Sequence, residues 1–225
     1  MPEMITLREA LLDEVRDLYS AEKQLVKALP KLAKRATSAE LRDAISEHLD
    51  QTRNHVTRLE RVFELLQERP RAKTCAGMQG IIDEGSDTLE EGGSDAVGDA
   101  RVIAAAQRAE HYEIAAYGTV AAWAEGLALS DVVDLLRDTL DEEKATDQRL
   151  TELAESGVNA AARAGERSDE DDAAGQARRS RAATSSRAAT SRAAAANRTR
   201  SRGSASRSSR AGRSRSGRSA GSRKK

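Results

Sequence analysis

Glu22, His55, Glu110, Glu113, Glu143 and Asp147 stand where a helical repeat calls for apolar side chains. Each interrupts a stripe of Leu, Ile, Val or Ala spaced alternately three and four residues apart, the rhythm of the buried face of an amphipathic helix. A bare buried carboxylate costs several kcal/mol or protonates through a raised pKa. Five carboxylates in one core therefore call for cations among them. Two divalent ions would bring four positive charges against the five, with His55 as a neutral nitrogen donor. Oxygen-rich ligation with one imidazole suits iron or manganese better than structural zinc, which favours Cys and His. The expected centre is thus two divalent metal ions, iron or manganese, held by those side chains.

Four long helices have to position them. The first is expected to open at Thr6, with Glu9 as its capping-box partner, and carries Leu11, Val15, Leu18, Glu22, Leu25, Leu29 and Leu32. Pro30 should kink it or thin its last turns. The second, capped by Ser38 and stopped by Pro70, carries Leu41, Ile45, His48, Thr52, His55, Leu59, Val62 and Leu66. The third carries Ile103, Ala106, Glu110, Glu113, Tyr117, Val120, Ala124 and Leu127. The fourth, capped by Ser130 and ending at Gly157, carries Val132, Leu136, Thr139, Glu143, Asp147, Leu150 and Leu153. Glu22 and Glu113 fall about halfway along their helices, while Glu110/Glu113 and Glu143/Asp147 share a face at spacings of three and four.

Short links make the first two and the last two helices antiparallel hairpins. The long connection between them, with a short helix expected around Met78–Glu90, is the crossover of a ferritin-like bundle rather than of an up-down-up-down one. The predicted class is all-α, with residues 1–157 as a ferritin-like four-helix bundle. Nearby polar residues read more plainly. His48, two turns from His55, is expected to be structural. His111 points about 100° away from Glu110 and is expected not to ligate. Tyr117 is a packing residue, with a hydroxyl bond to a ligand carboxylate as the alternative. Cys75 in the crossover is expected to be an inert thiol.

Residues 158–225 form a low-complexity segment with no means of burying a core, expected to be disordered. From Ala173 onward it holds 16 Lys and Arg and no Asp or Glu. Those 16, taken from 37 in the whole chain, leave 21 basic against 37 acidic side chains, a net of −16 for residues 1–172. The formal neutrality of the whole therefore joins an acidic body to a strongly basic tail. Such a tail should bind nucleic acid through its phosphates, and without aromatic side chains to stack on bases it should do so non-specifically. One cysteine excludes an intrachain disulfide. No apolar run reaches the roughly 20 residues that span a bilayer. A cytoplasmic homodimer with no membrane contact is the expectation, with association with the nucleoid through the tail as a further option.

The segments LYSAEKQL (18–25), AEHYEIAAYGT (109–119) and TLDEEKATDQRLTELA (139–154) resemble the YciE/YciF family of ferritin-like stress proteins, over residues 6–157 or so. The resemblance implies a di-iron or di-manganese centre between the four helices. In the wider di-metal group two helices each carry Glu-x-x-His. Here Thr52 stands three before His55, Gln51 four before it, and Asp147 stands where helix four is expected to carry an imidazole. The expected function is a stress-type metalloprotein reacting with peroxide or oxygen, tethered to nucleic acid by its tail. The alternatives are a non-enzymatic DNA-binding protein that uses the bundle to oligomerise and a metal-sequestering module without turnover.

Overall fold

In a computed structural model the described residues are 6–90, 95–164, 176–177 and 179–180. They form α1 (Leu7–Arg35), α2 (Ala39–Leu65), α3 (Ala76–Glu90), α4 (Asp95–Gly126) and α5 (Ser130–Leu153), followed by a π-helical turn, Ala154–Val158. No strand occurs among the described residues. The expected capping box is present: the Thr6 hydroxyl accepts from the Glu9 amide while the Glu9 carboxylate accepts from the Thr6 amide. Ser38 caps α2 through the Leu41 amide.

Three boundaries differ from expectation. Ser130 is the first residue of α5 rather than its cap, because Leu129 takes the cap position and makes no side-chain bond there. Ala128 in this tight turn adopts a left-handed backbone, φ 55°. Helix α2 ends at Leu65, before Pro70, through a turn in which Gln67 is left-handed at φ 60°. Gly157 does not end the last helix, because the π turn absorbs it and helical backbone continues over 159–164. Helix α1 runs on past Pro30 to Arg35, as a stripe continuing to Leu32 requires.

The contacts fix the topology. Thr37 and Ser38, at the top of α1 and α2, meet Asp99 at the start of α4, and Tyr117 further along α4 meets Glu22 in mid-α1. Thus α4 runs antiparallel to α1. His55–Glu142 and His48–Thr146 contacts set α5 antiparallel to α2 in the same way. The chain between α2 and α4 must therefore climb the bundle. It does so alongside α1, where Lys73 bonds Arg16 and Cys75 bonds Ser20 and Gln24. This is the ferritin-like crossover.

The apolar stripes pack into two separate clusters. One gathers Leu11, Val15, Leu18, Leu59, Phe63 and Leu136. The other gathers Leu25, Leu29, Leu41, Ile45, Val102 and Leu150. In α2, α4 and α5 the polar intruders lie in the chain between the residues of one cluster and those of the other, and in α1 Glu22 stands at the changeover from Leu18 and Tyr19 to Ala21 and Leu25. A polar layer crosses the bundle at mid-height.

The basic tail belongs to a unit separate from the bundle, residues 168–225. Almost all of it, including the segment expected to be disordered and nucleic-acid-binding, lies outside the described residues.

Candidate metal centre

Within the polar layer, Glu22, His55 and Glu143 each bring one ligand-type atom to within 4.8 Å of the others, and so do His48, Glu110, Glu113 and Glu143. Ligands about 2.1 Å from one ion stand about 4.2 Å apart when opposite. Each group is therefore close to the size of one coordination sphere, and Glu143 belongs to both. None of these residues exceeds 3% exposure. One helix contributes to each corner: Glu22 from α1, the two histidines from α2, Glu110 and Glu113 from α4, and Glu143 from α5.

Their atoms converge without bonding one another. Of ten buried side-chain nitrogens and oxygens with no hydrogen-bond partner among the described residues, eight lie here: Glu22 Oε2, His48 Nε2, His55 Nδ1, Glu110 Oε2, both oxygens of Glu113 and both of Glu143. His55 Nδ1 is 3.0 Å from Glu143 Oε1 and 3.5 Å from Glu22 Oε1, yet neither contact is aligned as a hydrogen bond. His48 Nε2 is likewise 3.2 Å from Glu110 Oε1 and unpartnered. Each such atom buried without compensation costs about 1–3 kcal/mol. Donor atoms aimed at a common point rather than at each other suit a cation between them, and the residues fit a metal.

A surrounding set of bonds orients the ligands. His55 Nε2 donates to Glu142 Oε2 at 2.6 Å, which leaves Nδ1 to face the centre. Arg58 grips the same Glu142 with both guanidinium nitrogens, each at 3.0 Å, and also bonds the Thr139 hydroxyl. His48 Nδ1 lies 3.2 Å from Thr146 Oγ1 and 3.4 Å from Gln51 Oε1, so Nε2 is the nitrogen turned inward. The Tyr117 hydroxyl donates to Glu22 Oε1 at 2.5 Å, directing Oε2 into the layer. Thr52 is fully buried between the two histidines, and its hydroxyl bonds back to the His48 carbonyl at 2.8 Å. Its small side chain leaves room for both imidazoles.

Without metal the cluster holds protons. Burial, opposed by His55 and reinforced by the Glu143 charge, pushes Glu22 up to about 7. Burial and then the Glu143 carboxylate hold Glu110 well above the carboxylate range. Burial and then Glu22 do the same to Glu113. Burial would lower His55, but the Glu143 and Glu22 carboxylates lift it to about 10. Burial lowers His48. Glu143 stays below its ordinary value despite burial, because both histidines favour its anion.

Glu22, His55, Glu110, Glu113 and Glu143 thus come together as the sequence led one to expect. Asp147 does not join them. It lies at the edge of α5, where its carboxylate accepts from Gln107 and sits 3.3 Å from His111. The residue three after Glu143, where Glu-x-x-His would place its imidazole, is Thr146 rather than Asp147. His48, taken from the sequence as structural, is instead inside the cluster. Its spacing of seven from His55 was the available signal. Glu142 and Arg58 gave no such signal, since charged residues off the stripe read as solvent-facing. Cys75 is buried in the crossover, where its sulfur accepts from the Met78 amide at the start of α3.

Comparison with known proteins bears out the resemblance. The chain is 42% identical to protein YciF of Escherichia coli (strain K12) over 157 residues, 69% of this chain and 95% of YciF. The crystal structure of that E. coli stress protein superposes with a TM-score of 0.67, covering 69% of this chain and 99% of that one at 42% identity. YcfI from Rhodopseudomonas palustris gives 0.65 at 41% identity, covering 67% and 96%. A Xanthomonas campestris protein at 21% identity shares the fold, with a TM-score of 0.55 over 72% of this chain and 99% of that one. Residues 6–163 match the family described as a domain of unknown function, DUF892, and the chain belongs to that YciF-containing family.

Proposed function

We propose that this chain is a dinuclear metalloprotein, with iron or manganese bound between its four helices, that reacts with peroxide or oxygen and is held on nucleic acid by its basic tail. One observation carries the metal reading: among the described residues, eight of the ten unpartnered buried side-chain polar atoms belong to Glu22, His48, His55, Glu110, Glu113 and Glu143 and converge from four helices. Two divalent ions would balance the four glutamates, with both imidazoles neutral. Glu22, His55 and Glu143 would hold one, and His48, Glu110, Glu113 and Glu143 the other. Bound there, such ions would supply Lewis acidity and, for iron or manganese, reversible electron transfer.

The chain's own groups do the rest. Glu142 and Arg58 keep the His55 ring in place, while Tyr117 holds Glu22 through one oxygen and leaves the other free to turn. The protons on Glu22, Glu110, Glu113 and His55 would have to leave as cations enter. A cleft of about 250 Å³ between α2, α4 and α5 is lined by Glu47, His48, Gln51, Glu110, Thr146 and Arg149, giving small molecules an approach to the His48–Glu110 edge. That volume lies below the usual range for drug-sized ligands, about 300–1,000 Å³, and suits peroxide or dioxygen.

The test is metal analysis of protein purified without added metal, beside peroxide consumption by the same sample. About two iron or manganese ions per chain with metal-dependent consumption is the expected result. Metal without consumption would reduce the function to sequestration. Absence of both, even after incubation with ferrous or manganous salts, would leave a structural bundle. Tethering rests on charge: 16 cationic side chains follow residue 172 with no acidic one among them.

A further inference from the structure

The cleft between α2, α4 and α5 is lined by donor groups graded in burial. Glu47 stands exposed at its mouth. Gln51, one turn further along α2, and Thr146 of α5 are half-buried, with their side-chain oxygens 3.3 Å apart. His48 and Glu110 close the inner end at 3% and 1% exposure, where Nε2 of the one and Oε2 of the other have no hydrogen-bond partner. Arg149 is the cation of the mouth, and Glu152 on the same helix lies 3.8 Å from it. A larger cavity of about 790 Å³, between α1, α3 and α4, is lined by Glu110 as well. Its exposed charges are Lys27, Lys31 and Glu90, together with Arg35, which has a partner of its own. Besides Glu110, its buried lining residues are Leu25, Leu29, Ala105, Ala106 and Ala109, to which half-buried Gln24 adds one unpartnered oxygen.

We propose that the α2–α4–α5 cleft is the port through which divalent cations enter and leave the centre, with Glu47 as its outer station and Gln51 and Thr146 as its steps inward. This port rests on the metal reading above and adds the route to it, leaving the ligand set unchanged. A divalent ion that gives up its water needs oxygen donors at short intervals, because charge is costly to carry past apolar walls. The cleft supplies them in order of increasing burial: a carboxylate, then an amide carbonyl and a hydroxyl, then the unpartnered Glu110 oxygen beside the His48 nitrogen. The α1–α3–α4 cavity suits a cation poorly. Two lysines stand against one glutamate among its exposed charges, and like charge at a mouth slows an approaching ion. Its buried walls are leucine and alanine, with one amide oxygen from Gln24.

The test compares metal transfer rates in the full-length, chelator-treated protein and three variants, with cobalt(II) as the probe. Loading is followed by visible absorption, and release by capture in excess chromophoric chelator. Ala145→Trp fills the mouth of the cleft from an exposed position on α5, and Ala28→Trp does the same at a half-buried position of the larger cavity. Ala145→Trp should slow loading and release by one common factor, about tenfold or more, because the ion must wait for the cleft to open. Glu47→Gln should slow both about three- to tenfold, the effect of one unit charge on a divalent ion roughly 6–8 Å away in water. Ala28→Trp should change neither rate. A port acts on both directions equally and leaves stoichiometry and affinity as they were, whereas damage to a ligand slows loading and speeds release. Circular dichroism checks that the variants stay helical, and Glu47→Gln, a near-isosteric change at an exposed position, carries the test if Ala145→Trp unfolds. Rates unmoved by Ala145→Trp and Glu47→Gln, slowing by Ala28→Trp instead, or weaker binding in Glu47→Gln with release no slower would overturn the port and leave the metal centre standing. A parent protein that takes up no cobalt would overturn the metal reading, and the port with it.

Discussion

Stripping the metal and raising the pH should destabilise the bundle, and the slope can be worked from the cluster itself. Glu22 has an ordinary pKa of 4.5 and stands at about 7 in the folded, metal-free protein. Between those values the folded state keeps a proton that the unfolded chain has released. Its stabilising contribution is complete below 4.5 and is lost as pH rises through 7. Two and a half units at about 1.4 kcal/mol each give about 3.5 kcal/mol from this one group over its full titration. Glu110 and Glu113 shift the same way. His55, raised from 6.5 to about 10, adds a loss of the same sign above pH 6.5. The opposing groups act lower on the scale: His48, lowered, favours folding as pH rises toward 6.5, while Glu142 and Glu143 matter only below 4.5. Metal-free stability should therefore peak in mild acid and fall by at least about 3 kcal/mol between pH 5 and 8. Denaturant midpoints in excess chelator at pH 5, 6, 7 and 8 read this directly. The metal-loaded protein should show the opposite slope, since cations displace the same protons. A metal-free protein whose stability climbs steadily across that range would refute a shared carboxylate cluster.

Glu143→Ala should remove most of the bound metal while the far-ultraviolet helical signal persists, because Glu143 serves both groups; unchanged metal content would exclude it. Glu142→Gln should keep the fold but weaken metal binding about 10–100-fold, the usual cost of removing a partner that orients a histidine ligand, and a competition titration with a chromophoric chelator measures it. Asp147→Asn should leave metal content unchanged and His48→Ala should lower it; the reverse pattern would restore the ligand set expected from the stripes alone. The full chain should bind duplex DNA with little sequence preference and lose about 10³–10⁵ in affinity between 50 and 200 mM salt, if some six to ten phosphates are neutralised. Residues 1–164 alone should not shift DNA, and equal shifts with and without the tail would end the tethering reading.

The stripes carried the bundle because burial on a helix repeats every three or four residues, so an intruding Glu22 or Glu113 is visible against Leu neighbours. They carried the topology too, since short and long connections differ plainly in length. What they lacked was angular resolution. Asp147 follows Glu143 by four residues, about 40° beyond a full turn, and that rotation carries it off the seam to Gln107 and His111. His48 precedes His55 by seven residues, only about 20° out of line but roughly 10 Å along the axis. Axial distance argued against it, yet the two rings approach to 6.4 Å between centroids because the small Thr52 separates them. Glu142 was invisible for a different reason. Adjacent to Glu143 and half-exposed, it looks like any surface acid until Arg58 and His55 are seen on either side of it.

Asp99 bears on how the chain reaches this fold. Its carboxylate, almost fully buried on α4, accepts from the backbone amides of Thr37 and Ser38 and from the Thr37 hydroxyl, at the corner joining α1 to α2. The first hairpin thus obtains part of its corner from the second. These donors find their acceptor only after more than sixty further residues have been added and the crossover has carried the chain back up the bundle. An α1–α2 hairpin emerging first during synthesis would have an unfinished corner and an exposed polar stripe, and so little reason to persist alone. The two halves are expected to become stable together, in one cooperative step set by the long-range docking of α4 rather than by either local turn.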